Sequence, residues 1–191
     1  VEAEIGTAGS IPMLLMTVLP ICAFAEHKVQ LHVAKGGTDV SNSPTINYLR
    51  YVLIPTLKGM GLYTNMTVQK YGYYPKDMGE VTLTVEPCKS ISPLRRGKFG
   101  KVSVMRGVSV CTFLADRRVA ERQSSAANAL LRERGYAADI QIVNDLSNPL
   151  QKGSSLVLWA ETDTGSILGA DAIGELRKPS ETVGREAAEK L

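Results

Sequence analysis

The 191-residue sequence predicts an α+β fold: a β-α-β-α-β-β unit, with two helices on a four-stranded sheet, followed by a smaller α+β domain. Three observations carry this. Lys28 to Ala34 alternates with period two, as a half-buried strand does. Ile46 to Met60 repeats apolar residues every three or four positions, as an amphipathic helix does. Between Cys88 and Gly100 the composition turns polar and basic, and a second series of strands and helices then begins.

Glu2 to Thr7 reads as a short strand, and Gly6-Thr7-Ala8-Gly9-Ser10 as a turn. Ser10 is positioned to cap an apolar helix within Ile11 to Ala25, with Pro12 in its first turn, where a missing N–H costs little. This run contains Pro12 and Pro20 and is shorter than the roughly 18 to 20 apolar residues a bilayer span needs. It follows Glu2 and Glu4 rather than a basic lead-in, so it predicts a helix buried on most sides and neither a signal peptide nor a membrane span.

In the strand from Lys28 to Ala34, Val29, Leu31 and Val33 share one face, and Lys28, Gln30 and His32 share the other. Ser43 is the expected cap of the second helix and Pro44 its first residue. Ile46, Leu49, Leu53, Leu57 and Met60 form its apolar stripe. Pro55 predicts a local kink, and Gly61 a left-handed stop. Strands follow at Leu62 to Tyr71 and Glu80 to Glu86, and both β-α-β passages are expected to be right-handed.

Ser90, Ser92, Pro93, Arg95, Arg96, Gly97, Lys98 and Gly100 mark a linker, dividing the chain into residues 1–90 and 91–191. The second part predicts a strand at Val102 to Val110. A helix from about Arg117 to Arg134 follows, with Asp116 as cap and Gly135 as stop, and a stripe of Val119, Ala120, Ala127, Leu130 and Leu131. Strands are expected at Asp139 to Val143, Ser155 to Glu161 and Ile167 to Ile173, and a helix from about Ser180 after Pro179.

The composition, 44% hydrophobic and 21% charged, is that of a soluble globular protein. A net charge of +3, scattered along the chain, permits a nucleic-acid partner without demanding one. Cys22, Cys88 and Cys111 are far apart, which excludes a zinc site made by local spacing and suits a reducing cytosol. His27 and His32, the two histidines, have no neighbouring Ser, Cys or paired carboxylates that would make either a nucleophile.

Gly36-Gly37-Thr38-Asp39 joins a strand to a capped helix. Its glycines permit positive φ and close approach of backbone to a ligand, Thr38 adds a hydroxyl, and Asp39 can bind a ribose hydroxyl or a metal. The same residues also suit an ordinary turn. Gly9 and Ser10 lie at a helix N-terminus, which favours anions, but without P-loop spacing they suit a capped turn equally. Arg95, Arg96, Lys98 and Lys101 can meet RNA phosphates or form a solvated linker. Tyr71, Tyr73 and Tyr74, beside Lys70, can stack on bases or pack in a core.

Five segments, taken in order, resemble the RNA 3'-terminal phosphate cyclase family, in its archaeal form. They are GTAGSIPMLLMTVLP (6–20), KGGTDVSNSPTINYLRYVLIPTL (35–57), KYGYYPKDMGEV (70–81), VAERQ (119–123) and GADAIGELRKPSETVGREAAEKL (169–191). The resemblance implies a large domain of repeated β-α-β-α-β-β units, similar to the C-terminal domain of a bacterial translation initiation factor, interrupted by an insert domain. The first part of this chain would be one repeat and the second the insert, so the chain is expected to be incomplete.

The implied activity converts an RNA 3'-terminal phosphate to a 2',3'-cyclic phosphate, using ATP and Mg²⁺ or Mn²⁺, in the cytoplasm. A histidine takes AMP from ATP, AMP passes to the RNA 3'-phosphate, and the adjacent 2'-hydroxyl displaces it. That histidine is expected beyond Leu191, so neither His27 nor His32 inherits the role. The expected ATP-site residues are Pro44 and Met16, which the resemblance implies, with Gly37, Thr38 and Asp39 from the loop reading and Gly9 and Ser10 towards phosphate; Pro44 matches a proline that packs on adenine. Met16 stands where relatives commonly carry glutamine, and Asp77-Met78-Gly79 replaces a more usual glycine run. Met16 lends weight to an alternative, a cyclase-like protein without adenylylating activity that serves ribosome assembly. Another repeat-built enzyme, such as an enolpyruvyl transferase, is disfavoured by the motifs of the second half.

Overall fold

Val33, Val81, Leu83 and Val85 are each at most 1% exposed and share one face of a sheet, the face on which the Ile11–Ala23 helix packs. The computed structural model describes every residue except Thr7, Ala8 and Arg96. Those parts of the predicted glycine turn and basic linker therefore lie outside the described residues. The chain divides into two compact units, Val1–Arg95 and Arg96–Leu191.

The first unit runs β1 (Glu2–Glu4), α1 (Ile11–Ala23), β2 (Val29–Gly36), a helix in three segments, β3 (Thr64–Lys70) and β4 (Gly79–Val85). The helix segments are α2 (Ile46–Tyr48), a π-helical turn (Leu49–Leu53) and α3 (Ile54–Lys58). The sheet order is β1-β2-β4-β3, with β1 parallel to β2 and the other pairs antiparallel. This is the expected β-α-β-α-β-β order.

Ser10 caps α1 as its sequence position indicates: the Met13 amide donates to Ser10 Oγ at 3.2 Å. Ile11, Pro12, Leu15, Leu19 and Ala23 are buried. Met13, Met16 and Ile21 are 47%, 39% and 73% exposed, so α1 is covered along one stripe and not on most sides as expected. Among the described residues no helix is long and apolar enough to cross a membrane.

The second helix departs from expectation at its start and middle. Thr45, not Ser43, is the cap: Thr45 Oγ1 accepts the Tyr48 amide at 3.2 Å, while Ser43 Oγ lies 2.6 Å from Ser10 Oγ. Pro44 therefore precedes the helix. Pro55 has no N–H to give the Tyr51 carbonyl. The preceding amide, that of Ile54, donates instead to Leu49 O, five residues back, and the kink takes the form of a π turn. The added residue rotates the stripe. Ile46, Leu49 and Val52 are buried, whereas the predicted Leu53, Leu57 and Met60 are only half-buried. Gly61, at φ +91°, ends the helix, and the Leu62 amide donates to Leu57 O at 3.1 Å.

The second unit runs β5 (Val102–Thr112), a 3-10 turn (Ala115–Arg117), α4 (Val119–Glu133), β6 (Asp139–Asp145), β7 (Gly153–Thr162), β8 (Ile167–Ile173) and α5 (Ser180–Lys190). The order is β6-β5-β7-β8, with β5 and β6 parallel and the rest antiparallel. Asp116 is not the cap of α4. It falls inside the 3-10 turn, and Arg118, left-handed at φ +51°, precedes the helix without a side-chain cap. Gly135 stops α4 at φ +82°.

Ala127 and Leu131 of α4, Leu156 and Leu158 of β7, and Val183 and Ala187 of α5 share one core. Gln123 is fully buried in α4, accepting from Ser109 Oγ at 2.9 Å and donating to Ser154 Oγ at 2.8 Å. Helices α4 and α5 meet where Gly184 faces the Gln123 carbonyl and, at 3.0 Å from a built Cβ, the Ala127 amide. A methyl group there would overlap backbone that cannot swing aside. Gly184→Ala is thus expected to destabilise the second unit by about 1 to 3 kcal/mol, read as a lower denaturant midpoint with unchanged slope.

Candidate functional site

The connections at one end of the first sheet form the candidate site. β2 breaks register between Ala34 and Gly36, and Lys35 takes the left-handed conformation at φ +58°. Gly36 and Gly37 do not, so the positive φ expected of them falls on Lys35. What they supply is room. A Cβ on Gly36 would lie 2.7 Å from Ile11 Cγ1, and one on Gly37 would lie 3.0 Å from Asp77 Oδ1. Backbone then comes together closely: the Gly37 amide donates to Gly9 O at 2.8 Å, and the Ile11 amide to Gly37 O at 2.9 Å. The Ser10–Ser43 hydroxyl contact closes the same corner and brings Pro44 beside the first turn of α1.

Beneath this corner lies a buried polar network. Thr38 is fully buried and Asp39 is 2% exposed. Thr38 Oγ1 contacts Asp39 Oδ2 at 2.6 Å and accepts the Gly72 amide at 3.0 Å. Gly72 O in turn accepts the Thr38 amide at 2.9 Å and the Asp39 amide at 3.2 Å. Asn47 Nδ2 donates to Tyr71 Oη at 3.2 Å. Burial pushes the Tyr71 phenol well above the usual tyrosine range; the Asn47 hydrogen bond opposes this shift, and the nearby Asp39 charge reinforces it.

Of the residues expected at the ATP site, Thr38 and Asp39 are thus enclosed by protein, while Pro44 is half-buried and Met16 is exposed on α1. Met13, three positions before Met16, shares its face of the helix. These apolar surfaces can receive a purine ring. For an anion, the first-turn donors of α1 are engaged: Ile11 with Gly37, Met13 with the Ser10 hydroxyl and Leu14 with the Ser10 carbonyl, while Pro12 has none. A phosphate near Gly9 and Ser10 would meet the helix dipole and the Ser10 and Ser43 hydroxyls rather than open amides. Among the described residues no three His, Cys, Asp or Glu side chains form a group able to hold a metal ion.

The remaining candidates separate. Tyr71 and Tyr73 are buried and Tyr74 is 71% exposed. His32 sits on the polar face of β2, with Nδ1 3.1 Å from Thr82 Oγ1 and Nε2 3.4 Å from Glu80 Oε1. Arg95, Lys98 and Lys101 are exposed. Gly72 and Asn47 escaped the sequence reading. The Tyr-Gly-Tyr-Tyr-Pro run signals a tight connection, yet nothing local shows that Gly72 meets Thr38, thirty-four positions earlier.

A family model described as RNA 3'-terminal phosphate cyclase matches residues 1–187. The chain belongs to the RNA 3'-terminal phosphate cyclase family. It is 42% identical over 188 residues to an RNA 3'-terminal phosphate cyclase of Pyrobaculum neutrophilum, covering 98% of this chain and 53% of that relative. It is 43% identical over 191 residues to one of Thermococcus gammatolerans, covering 100% and 54%. A relative in Methanopyrus kandleri is 42% identical over 194 residues, with the same coverage. The chain thus spans about half the length of the curated relatives it matches. The predicted α+β class and the family resemblance both hold.

Two consequences are measurable. Tyr71 is protonated in both folded and unfolded chains below about pH 10. Above that, the unfolded phenol ionises before the folded one, so stability is intact below pH 10 and declines as pH rises further. In a phenolate absorbance titration, Tyr71 should ionise above the usual tyrosine range, and Tyr71→Phe should remove that late step. Asp77 and Met78 hold φ +60° and +52° where Gly would be unstrained. Met78→Gly is expected to stabilise the first unit by about 1 kcal/mol, seen as a melting temperature raised by several degrees.

Proposed function

We propose that this chain is part of an ATP-dependent enzyme that converts an RNA 3'-terminal phosphate to a 2',3'-cyclic phosphate. Family membership over residues 1–187 is the observation that carries the reading. In it, Pro44 and Met16 border the adenine, while Ser10, Ser43 and the α1 dipole face the phosphate side. Thr38, Asp39 and Gly72 hold the corner rigid from below. The nucleophile is a histidine outside this chain. It takes AMP from ATP, releasing pyrophosphate, and passes it to the RNA 3'-phosphate; the 2'-hydroxyl then attacks that phosphate and expels AMP. ATP with Mg²⁺ or Mn²⁺, and a cytoplasmic site of action, belong to this reading. Cys22, Cys88 and Cys111 are all free thiols, in keeping with a reducing compartment.

A second reading, a silent cyclase-like protein in ribosome assembly, draws on Met16. The thioether is exposed on α1 and cannot donate the hydrogen bond of an amide. The two readings part in one assay. Full-length protein incubated with α-labelled ATP and Mg²⁺ or Mn²⁺ should form an acid-labile protein–AMP adduct. The 191-residue chain alone should form none. Absence of the adduct from the full-length protein would favour the silent relative.

A further inference from the structure

The face of the first sheet turned away from α1 carries a polar groove that the nucleotide corner does not use. Strand alternation puts Gln30 on β2, Thr84 on β4 and Asn65 on β3 in one row, because Gln30 pairs with Thr84 and Thr84 with Asn65. Adjacent strands lie about 4.8 Å apart, so an amide, a hydroxyl and a second amide line up over about 10 Å. Lys28, Tyr63 and Glu86 join them around a groove of about 520 Å³, large enough for a nucleotide. Among the described residues, the side-chain polar groups of Gln30, Thr84 and Asn65 make no hydrogen bond. The neighbouring row is closed on itself: His32 Nδ1 and Gln69 Nε2 both meet Thr82 Oγ1, at 3.1 and 2.7 Å. The open row is therefore a local feature and not a property of the whole face.

The chemistry of the groove selects its occupant. Lys28 and Glu86 pair at 2.6 Å, so the groove has no net charge and does not suit a purely anionic ligand. Uncharged hydrogen-bonding edges fit the amide–hydroxyl–amide row, and nucleobases have them. Tyr63 is 56% exposed and presents a ring for stacking. The Lys28–Glu86 pair is solvent-exposed and weakly held, so Lys28 can turn to a passing phosphate. A protein partner would want a cluster of buried apolar anchors, and this floor has none. β3 is an edge strand, which leaves the groove open at its side for a polymer to continue.

We propose that this groove binds a single-stranded stretch of RNA, with one base stacked on Tyr63 and base edges hydrogen-bonded by Gln30, Thr84 and Asn65. The choice of RNA rests on the cyclase reading.

The test measures binding of a fluorescein-labelled single-stranded RNA carrying a 3'-phosphate to full-length protein by anisotropy, with protein–AMP formation assayed in parallel. Tyr63→Ala, and separately the double variant Gln30→Ala with Asn65→Ala, should raise Kd about fivefold or more. Tyr63→Phe keeps the ring and should bind as wild type does. Adduct formation should be unchanged in all three. Both alanine variants binding within twofold of a wild type that does bind would overturn the groove. A wild type that forms no adduct, yet binds RNA in a Tyr63-dependent way, would sink the cyclase reading and leave the groove standing.

Discussion

The first unit depends on the meeting of Thr38 and Gly72. Both backbone groups of Gly72 are used there: its carbonyl accepts from the Thr38 and Asp39 amides, and its amide donates to the Thr38 hydroxyl. A buried amide left unpaired costs about 1 to 3 kcal/mol, so these bonds hold the β2–α2 connection against the β3–β4 connection. No side chain fits at Gly72, where a Cβ would lie 2.7 Å from Gly36 O and closer still to the backbone of Asp77 and Gly79. The glycine is required by space and not by a left-handed φ.

That constraint decides how the corner between β2 and α1 is built. With Thr38 anchored, Gly37 comes against Gly9, and the N-terminus of α1 is tied to β2 through backbone on both sides. The left-handed non-glycine positions fall on Lys35, Asn42, Asp77 and Met78. Such conformations are costly for non-glycine residues and persist where surroundings over-determine them, as they do for the fully buried Asp77. The outcome is a floor of enclosed polar groups beneath an apolar rim of exposed Met13 and Met16 and half-buried Pro44. The proposed nucleotide site would use such a rim, preorganised so that little order must be lost on binding.

The two faces of the first sheet divide the work proposed for it. The helix-covered face carries the core and the nucleotide corner, while the open face carries a row of uncommitted amides and a hydroxyl beside an exposed tyrosine. The same alternation that buries Leu31, Val33, Leu83 and Val85 sends Gln30, His32, Thr84 and Glu86 outward. One strand pattern thus produces both a core and a recognition surface.

The sequence by itself determined the elements and their order, because period-two and three-to-four spacing, Ser10, Gly61 and Gly135 are local signals. Ile167 to Ile173 was legible to the residue. It also carried the family, through ordered motifs. Choices between local signals of similar strength were settled by tertiary structure. Ser43 and Thr45 can each cap a helix; Thr45 does so because the Ser43 hydroxyl contacts Ser10, thirty-three positions away. Pro55 announced a distortion, but the π turn fixed which residues face the core, and Val52 replaced Leu53. Thr38 and Asp39 suited a ligand site or an ordinary turn alike in the sequence; in the structure both are buried against Gly72. Hydrogen bonds across thirty or more residues leave no periodic trace in a chain, and burial of a polar side chain is decided by what folds back over it.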